Sequence, residues 1–185
     1  NCMKILIINW RDITHPWSGG SEKYIHEIAC EWKKQGHRVT LVCGGYPGAF
    51  KKETVDGINI RRLGSTHTIY LLLPFYYLIK LRQEKFDVII ENAYGITFFS
   101  VLFSSLPKVL FVHHDHTLPW RTEWPSLIAK MGIWTEQTLV PWLYKNVQVV
   151  TPSVKNKELL LRKGFKSVYV VPPGSDKRYL RSKYA

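Results

Sequence analysis

Short runs of β-branched and aliphatic residues recur along the chain, each parted from the next by a turn or by a stretch of helical periodicity. That alternation admits few folds, because strands joined by crossovers pair in parallel and a parallel sheet must be covered on both faces. The strand-like runs are KILIIN (4–9), RVTLVCG (38–44), INIRRL (58–63), DVIIEN (87–92), KVLFVH (108–113), VQVVT (147–151) and SVYVV (167–171). Between the first two, residues 21–35 set Tyr24, Ile25, Ile28, Ala29 and Trp32 on one helical stripe that Gly36 ends. Residues 45–57 read as a Gly/Pro loop closing on a hairpin-like Asp56-Gly57 turn. Residues 70–84 read as a helix started or interrupted by Pro74, 96–105 as an apolar helix, and 124–145 as one long helix with Pro141 near its end. Ser153 caps a last helix reaching residue 163. The expected fold is therefore α/β: a single Rossmann-like, three-layer α/β/α domain over residues 3–171, its mostly parallel sheet having about seven strands. The PPGSD segment breaks this pattern, and residues 172–185 read as a hinge or linker.

Composition narrows the class. A chain of 185 residues is long enough for one well-packed domain and short for two. Its three cysteines (Cys2, Cys30, Cys43) form no CxxC pair, which argues against a disulfide framework or a zinc site and suits the reducing cytoplasm. Met3 reads as the native start, and the first apolar run stops at Arg11 and Asp12, as a strand does and a signal peptide does not. Of the net charge of +12, residues 145–185 carry two thirds, with ten Lys or Arg against Glu158 and Asp176. Such an end favours a polyanionic partner (a phosphorylated substrate, an anionic membrane or nucleic acid), and solvated helix faces are the plainer reading.

In open α/β sheets, ligands bind at the carboxyl ends of the strands, so the loops there carry the chemistry. After the first strand, Gly19 and Gly20 precede Ser21 and Glu22 where a helix begins. Glycine lets a backbone N–H approach a phosphate, and the helix dipole favours the anion, although such a pair also serves purely conformational ends. The motif is not GxGxxG, so no dinucleotide cofactor is expected. After the fifth strand stand His113, His114, Asp115 and His116. Neighbours on extended backbone point in opposite directions and no cysteine or acidic cluster joins them, so hydrogen-bonding or acid–base work at a sugar or phosphate is preferred to metal binding. Glu91, Asn92 and Tyr94, after the fourth strand, are expected to face the same crevice and bond hydroxyls. Thr151, Pro152 and Ser153 are read as a helix cap.

With these pieces in order, the chain resembles the N-terminal domain of family 4 glycosyltransferases of the GT-B fold. The resemblance rests on Gly19-Gly20-Ser21-Glu22, on Gly36-His37-Arg38-Val39, on the histidine closing strand five, and on the Ser-capped helix followed by VYVVPPGSD, and it runs from Met3 to about Tyr179. It implies a retaining transfer of a sugar from a nucleotide-sugar donor to an acceptor, without a further cofactor. It places His113 at the reacting sugar as the catalytic histidine and Gly19 and Gly20 at the donor diphosphate. Glu91, Asn92, Tyr94, His114 and His116 are left as acceptor or sugar contacts. Pro173 and Ser175 depart from the family's hinge. The family's donor domain carries two glutamates separated by seven residues, and no two glutamates here have that spacing. The implied reading is an acceptor-binding half, inactive until it meets a C-terminal donor-binding domain in cis or as a separate chain of a split enzyme.

The most apolar window, TIYLLLPFYYLIKLRQ (68–83), is too short to span a bilayer, which needs about 20 residues. Both an interfacial helix at an anionic membrane and a helix packed on the sheet fit it, the first with a lipid-linked or phosphorylated acceptor. A non-catalytic nucleotide- or nucleic-acid-binding Rossmann module is the competing class. Dispersed basic residues and the lack of a strand-borne aromatic signature weigh against nucleic acid.

Overall fold

The computed structural model describes residues 2–174. Eight strands form one sheet in the order β3-β4-β2-β1-β5-β6-β7-β8. These are β1 (Lys4–Ile8), β2 (Arg38–Gly45), β3 (Lys52–Val55), β4 (Ile58–Ser65), β5 (Val88–Ala93), β6 (Lys108–Val112), β7 (Gln148–Thr151) and β8 (Ser167–Val170). Every pairing is parallel except that of β3 with β4. The centre of the sheet is β1, where Leu6, Ile7 and Ile8 are all 0% exposed. Successive strand residues face opposite sides, so three in a row can be buried only if both faces are covered.

The covering follows from crossover handedness. Helix α1 (Gly20–Lys34) carries the chain from β1 outward to β2, whereas α2 (Ile69–Ile79) carries it back from β4 to β5 on the other side of β1. Right-handed crossovers running in opposite directions lie on opposite faces. The segment after β5, the helices α3 (Thr117–Glu123), α4 (Ser126–Trp134) and α5 (Val140–Leu143), and α6 (Val154–Arg162) all step the same way as α2 and share its layer. One apolar cluster surrounds β1 with Tyr24, Ile25, Leu73 and Phe111, and a second gathers Leu110, Tyr144, Val149 and Leu160 under α5 and α6.

Four sequence expectations change. Residues 52–55 are not loop: they form edge strand β3, antiparallel to β4 through a two-residue turn in which Asp56 (φ 50°) and Gly57 (φ 79°) are both left-handed. Lys52-Glu53-Thr54-Val55 lacks an apolar alternation because it is an edge. Residues 96–105 make only a 3-10 turn at Ser100–Leu102. The buried Glu91 carboxylate accepts the Phe98 N–H and the Ser100 N–H and hydroxyl, taking donors that a helix would use. Pro74 neither starts nor breaks α2 but lies inside it, and a separate 3-10 turn follows at Leu81–Glu84. The long helix is in fact α3, a break at Trp124-Pro125, then α4 running into α5 through a π-helical turn at Thr135–Leu139. Pro141 has no N–H to return to the preceding turn, which suits the wider winding just before it. Ser153 caps α6 as expected, its hydroxyl accepting the Asn156 N–H at 3.2 Å. Most of the expected hinge, including Ser175 and the basic residues Lys177, Arg178, Arg181 and Lys183, lies outside the described residues.

Candidate functional site

At the carboxyl ends of β1, β5 and β6 three polar side chains form a directed chain of hydrogen bonds. The Trp10 backbone N–H donates to Asn9 Oδ1 at 2.9 Å, which fixes the Asn9 carboxamide because a backbone N–H can only donate. The same oxygen accepts Asn92 Nδ2 at 3.0 Å. Asn92 must then turn Oδ1 toward His113, whose Nε2 lies 2.7 Å away and is thereby the donor. His113 is held as the Nε2–H tautomer, with Nδ1 left as an acceptor. Burial, helped by His114, pushes its pKa down to about 4, so the ring is neutral at pH 7. Asn9 is 0% exposed, and its Nδ2 is buried without a hydrogen-bond partner among the described residues. Sequence reasoning missed Asn9; its position closing the first strand, like that of His113 closing another, was the available signal.

The glycine turn lies beside this chain, since Tyr24, one turn into α1, meets the His113 ring edge-on at 5.3 Å. Neither glycine is needed for backbone conformation. Gly19 is extended (φ −132°) and Gly20 is not among the left-handed residues. A Cβ on Gly20 would meet nothing within 4 Å, and one on Gly19 only Glu22 Oε2 at 3.5 Å. The turn is instead held by Glu22, 1% exposed, which accepts the Gly19 N–H at 2.6 Å, the Ser21 hydroxyl at 2.8 Å and Trp10 Nε1 at 2.8 Å, with Arg11 at 3.6 Å. Burial alone would raise the Glu22 pKa, but these donors outweigh it and lower it. The Gly19 N–H is thus engaged, so the amides facing the open side of the turn are those that follow it.

Tyr94 stacks on Trp10 at 4.1 Å, and the Arg11 guanidinium lies 3.8 Å over the Trp10 ring. His116 meets Tyr94 edge-on at 4.6 Å and stacks on His114 at 4.2 Å. These rings line one wall. His114 is exposed, whereas His116 is buried, with a pKa pushed down to about 4 chiefly by burial and with no partner for Nε2 among the described residues. The three histidines do not converge as metal ligands. Among the described residues the side chains that do, within 4.8 Å of one another, are His26, Cys30 and Asp56, at the amino-terminal end of β4. A cleft of about 440 Å³ opens beside His113 and His114 and is lined by Lys155, Asn156 and Arg162 of α6.

Glu91 is not in the crevice. Strand alternation turns it away from Asn92, into the layer of α5, where it is 0% exposed and bonds Tyr144 and Ser100. Burial raises its pKa, against the lowering by those hydrogen bonds. Asp115 is likewise structural: burial would raise it, yet Lys163 at 2.7 Å and Thr117 hold it at about 2. Behind the glycine turn, Asp12 accepts Arg62 twice, at 2.7 and 3.1 Å, and also Thr14 and Cys43. Burial opposes but does not match those bonds, which hold Asp12 at about 2. This buried pair, which also engages Glu53, pins the 10–18 loop to the β3–β4 hairpin.

The sequence profile of Glycosyltransferase Family 4 matches residues 18–179, most of the chain. The chain belongs to glycosyltransferase family 4. The glycine turn, Asn92 and the histidine loop fall within that match, and Asn9, Trp10 and Arg11 precede it. No curated protein matches this family member significantly at the sequence level. Among solved structures it is similar to HepE of Anabaena, crystallised with UDP and glucose, at 15% identity and a TM-score of 0.57. The superposition covers 99% of this chain and 50% of that one, so the chain spans half the length of its structural neighbour. At that identity the likeness speaks to the Rossmann-like fold, which is the one expected from the sequence.

Proposed function

We propose that this chain is the acceptor-binding half of a retaining glycosyltransferase, one that moves a sugar from a nucleotide-sugar donor to an acceptor once a donor-binding half closes over it. The observation that carries the reading is the open glycine turn. Two glycines stand where neither backbone strain nor packing asks for them, at a helix N-terminus one turn from a neutral, oriented histidine. Close approach of a ligand is the remaining physical reason for glycine there.

Glycosyl transfer passes through an oxocarbenium-like state while a diphosphate departs. The first turn of α1 offers backbone N–H groups outside the helical ladder and the positive end of its dipole to that diphosphate at Gly20, with Gly19 keeping the approach clear. His113 presents Nδ1 as an acceptor to a donor hydroxyl, setting the negative end of its dipole toward the charge that develops on the sugar. It is no proton donor at neutral pH. Asn92 positions it, and Tyr94 and the exposed His114 offer a ring and an imidazole to a sugar or acceptor, while His116, buried behind them, supports that wall and does not reach a ligand. The donor half is placed outside these residues, as the absent glutamate pair and the half-length match to HepE support.

Calorimetry of the chain with a panel of nucleotide sugars tests this, before and after adding a family donor-binding half. The expected outcome is no micromolar binding and no turnover alone, with both gained on reassembly. Donor binding or turnover by the chain alone would refute the division of labour.

A further inference from the structure

Helix α2 is apolar on every side. Ile69, Leu73 and Tyr77 face the sheet and are buried, while Leu71, Leu72, Phe75, Leu78 and Ile79 are 44–73% exposed. Those five fall at i, i+1, i+4, i+7 and i+8, which is one continuous outer stripe. Helix α4 repeats the pattern with Leu127, Ile128, Met131 and Trp134, 44–71% exposed at i, i+1, i+4 and i+7, while Ala129 and Gly132 face inward. The two helices belong to one layer. Tyr70 and Tyr77 of α2 pack on Phe98 and Phe103, and that segment is joined to α5 through Glu91, which bonds both Ser100 and Tyr144. Each stripe is a run of large apolar side chains on one helix face, the kind of exposed surface that marks an interaction site.

The charges around them choose the partner. No Asp or Glu occurs in residues 66–83 or 124–135. Lys80, Arg82 and Lys85 follow α2, Arg121 precedes α4, Lys130 lies within it, and all five are exposed. Trp124 and Trp142, also exposed, add aromatic anchors beside α4. The acids in these borders are Glu84, which pairs with Arg61, Asp87, which accepts the Lys4 N–H, and Glu123, so the cations outnumber them. Apolar stripes with tryptophan and a Lys/Arg excess at their borders are the chemistry of the headgroup boundary of an anionic bilayer. No helix among the described residues is long and apolar enough to cross a membrane, so such a surface lies along one.

We propose that the outer stripes of α2 and α4 together form a docking surface for an anionic lipid bilayer. This goes beyond the transfer reading and does not depend on it, since the measurement involves no sugar. The 185-residue chain is mixed with vesicles of phosphatidylcholine, with and without phosphatidylglycerol, and sedimented. The expected result is binding that requires the anionic lipid, weakens with salt and shifts tryptophan emission to the blue. Phe75→Ser with Leu78→Ser, and separately Ile128→Ser with Trp134→Ser, each weaken partitioning about tenfold with the melting temperature unchanged. Lys80→Glu with Lys130→Glu removes the preference for anionic lipid and guards against either apolar pair impairing folding. A chain that ignores both vesicles overturns the proposal, as does equal binding to neutral lipid. Light scattering that shows a dimer dissolved by the same apolar substitutions also overturns it, assigning the surface to a second copy.

Discussion

A neutral imidazole held in a fold is a latent acid switch, and His113 allows the effect to be worked out. Its ring titrates at 6.5 unperturbed and at about 4 in the structure. Because the folded value is the lower one, the unfolded ring binds its proton first. The contribution is therefore complete above pH 6.5 and is lost as the pH falls toward 4. At pH 5 the unfolded ring is almost wholly charged and the folded ring almost wholly neutral, a difference of about 2 kcal/mol. For a chain of this size that corresponds to about 4–8 °C in melting temperature. Acidification also touches Glu91 and Glu136, whose folded values are raised and which therefore act in the opposite sense. The measurement must accordingly be a difference. Thermal unfolding at pH 7 and pH 5 is compared between the parent and His113→Gln, whose amide still donates to Asn92 Oδ1 but does not titrate. The parent should lose about 2 kcal/mol more than the variant over that interval. Parallel losses in the two proteins would mean that the ring is not held neutral, and a ¹⁵N spectrum showing the Nδ1–H tautomer would break the hydrogen-bond argument independently.

Replacing Gly20 by Leu should leave the melting temperature nearly unchanged, since a Cβ there meets nothing within 4 Å, while abolishing transfer in a reassembled two-half enzyme; an unfolded variant would return the glycine to a conformational role. Arg62→Met strands the buried Asp12 carboxylate and should cost about 3–5 kcal/mol in denaturant unfolding; a loss under about 1 kcal/mol, the scale of an exposed pair, would show that the pair is effectively solvated. Tyr144→Phe removes the hydroxyl that Glu91 accepts and should destabilise the chain by about 1–3 kcal/mol without altering acceptor binding. In the reassembled enzyme His113→Ala should cost far more activity than His114→Ala or His116→Ala, and equal losses at all three would refute the assignment of a special role to the ring that Asn92 orients.

The sheet was legible in the sequence because its strands are buried on both faces and so read as unbroken aliphatic runs. The edge strand Lys52–Val55 was not, because an edge needs neither apolar face and is recognised only by its partner. The region 96–105 misled for the opposite reason. Its Phe98 and Phe103 are apolar because they fill a layer, and the backbone donors that would have wound a helix are captured by a carboxylate in the preceding strand. Within the site, the glycine pair and His113 could be placed by their positions after strands. Glu91 and Asn92 could have been separated by simple alternation, which sends one into the core and the other to the crevice. Asn9 closes its strand as His113 does, but an asparagine in that place is ordinary until a second carboxamide and an imidazole are found in line with it. The Asp12–Arg62 pair joins residues fifty apart, and no local pattern announces it.

The Tyr24 hydroxyl donates to the Val171 carbonyl at 2.7 Å, while its ring rests edge-on against His113. One side chain thus ties the outgoing end of β8 to the helix that opens at Gly20 and to the imidazole of the crevice. Linkage is reciprocal: whatever holds the chain beyond Val171 in one orientation favours one seating of Tyr24, and a ligand that favours that seating favours that orientation equally. Tyr24→Phe would keep the ring against His113 and remove its tie to the end of β8.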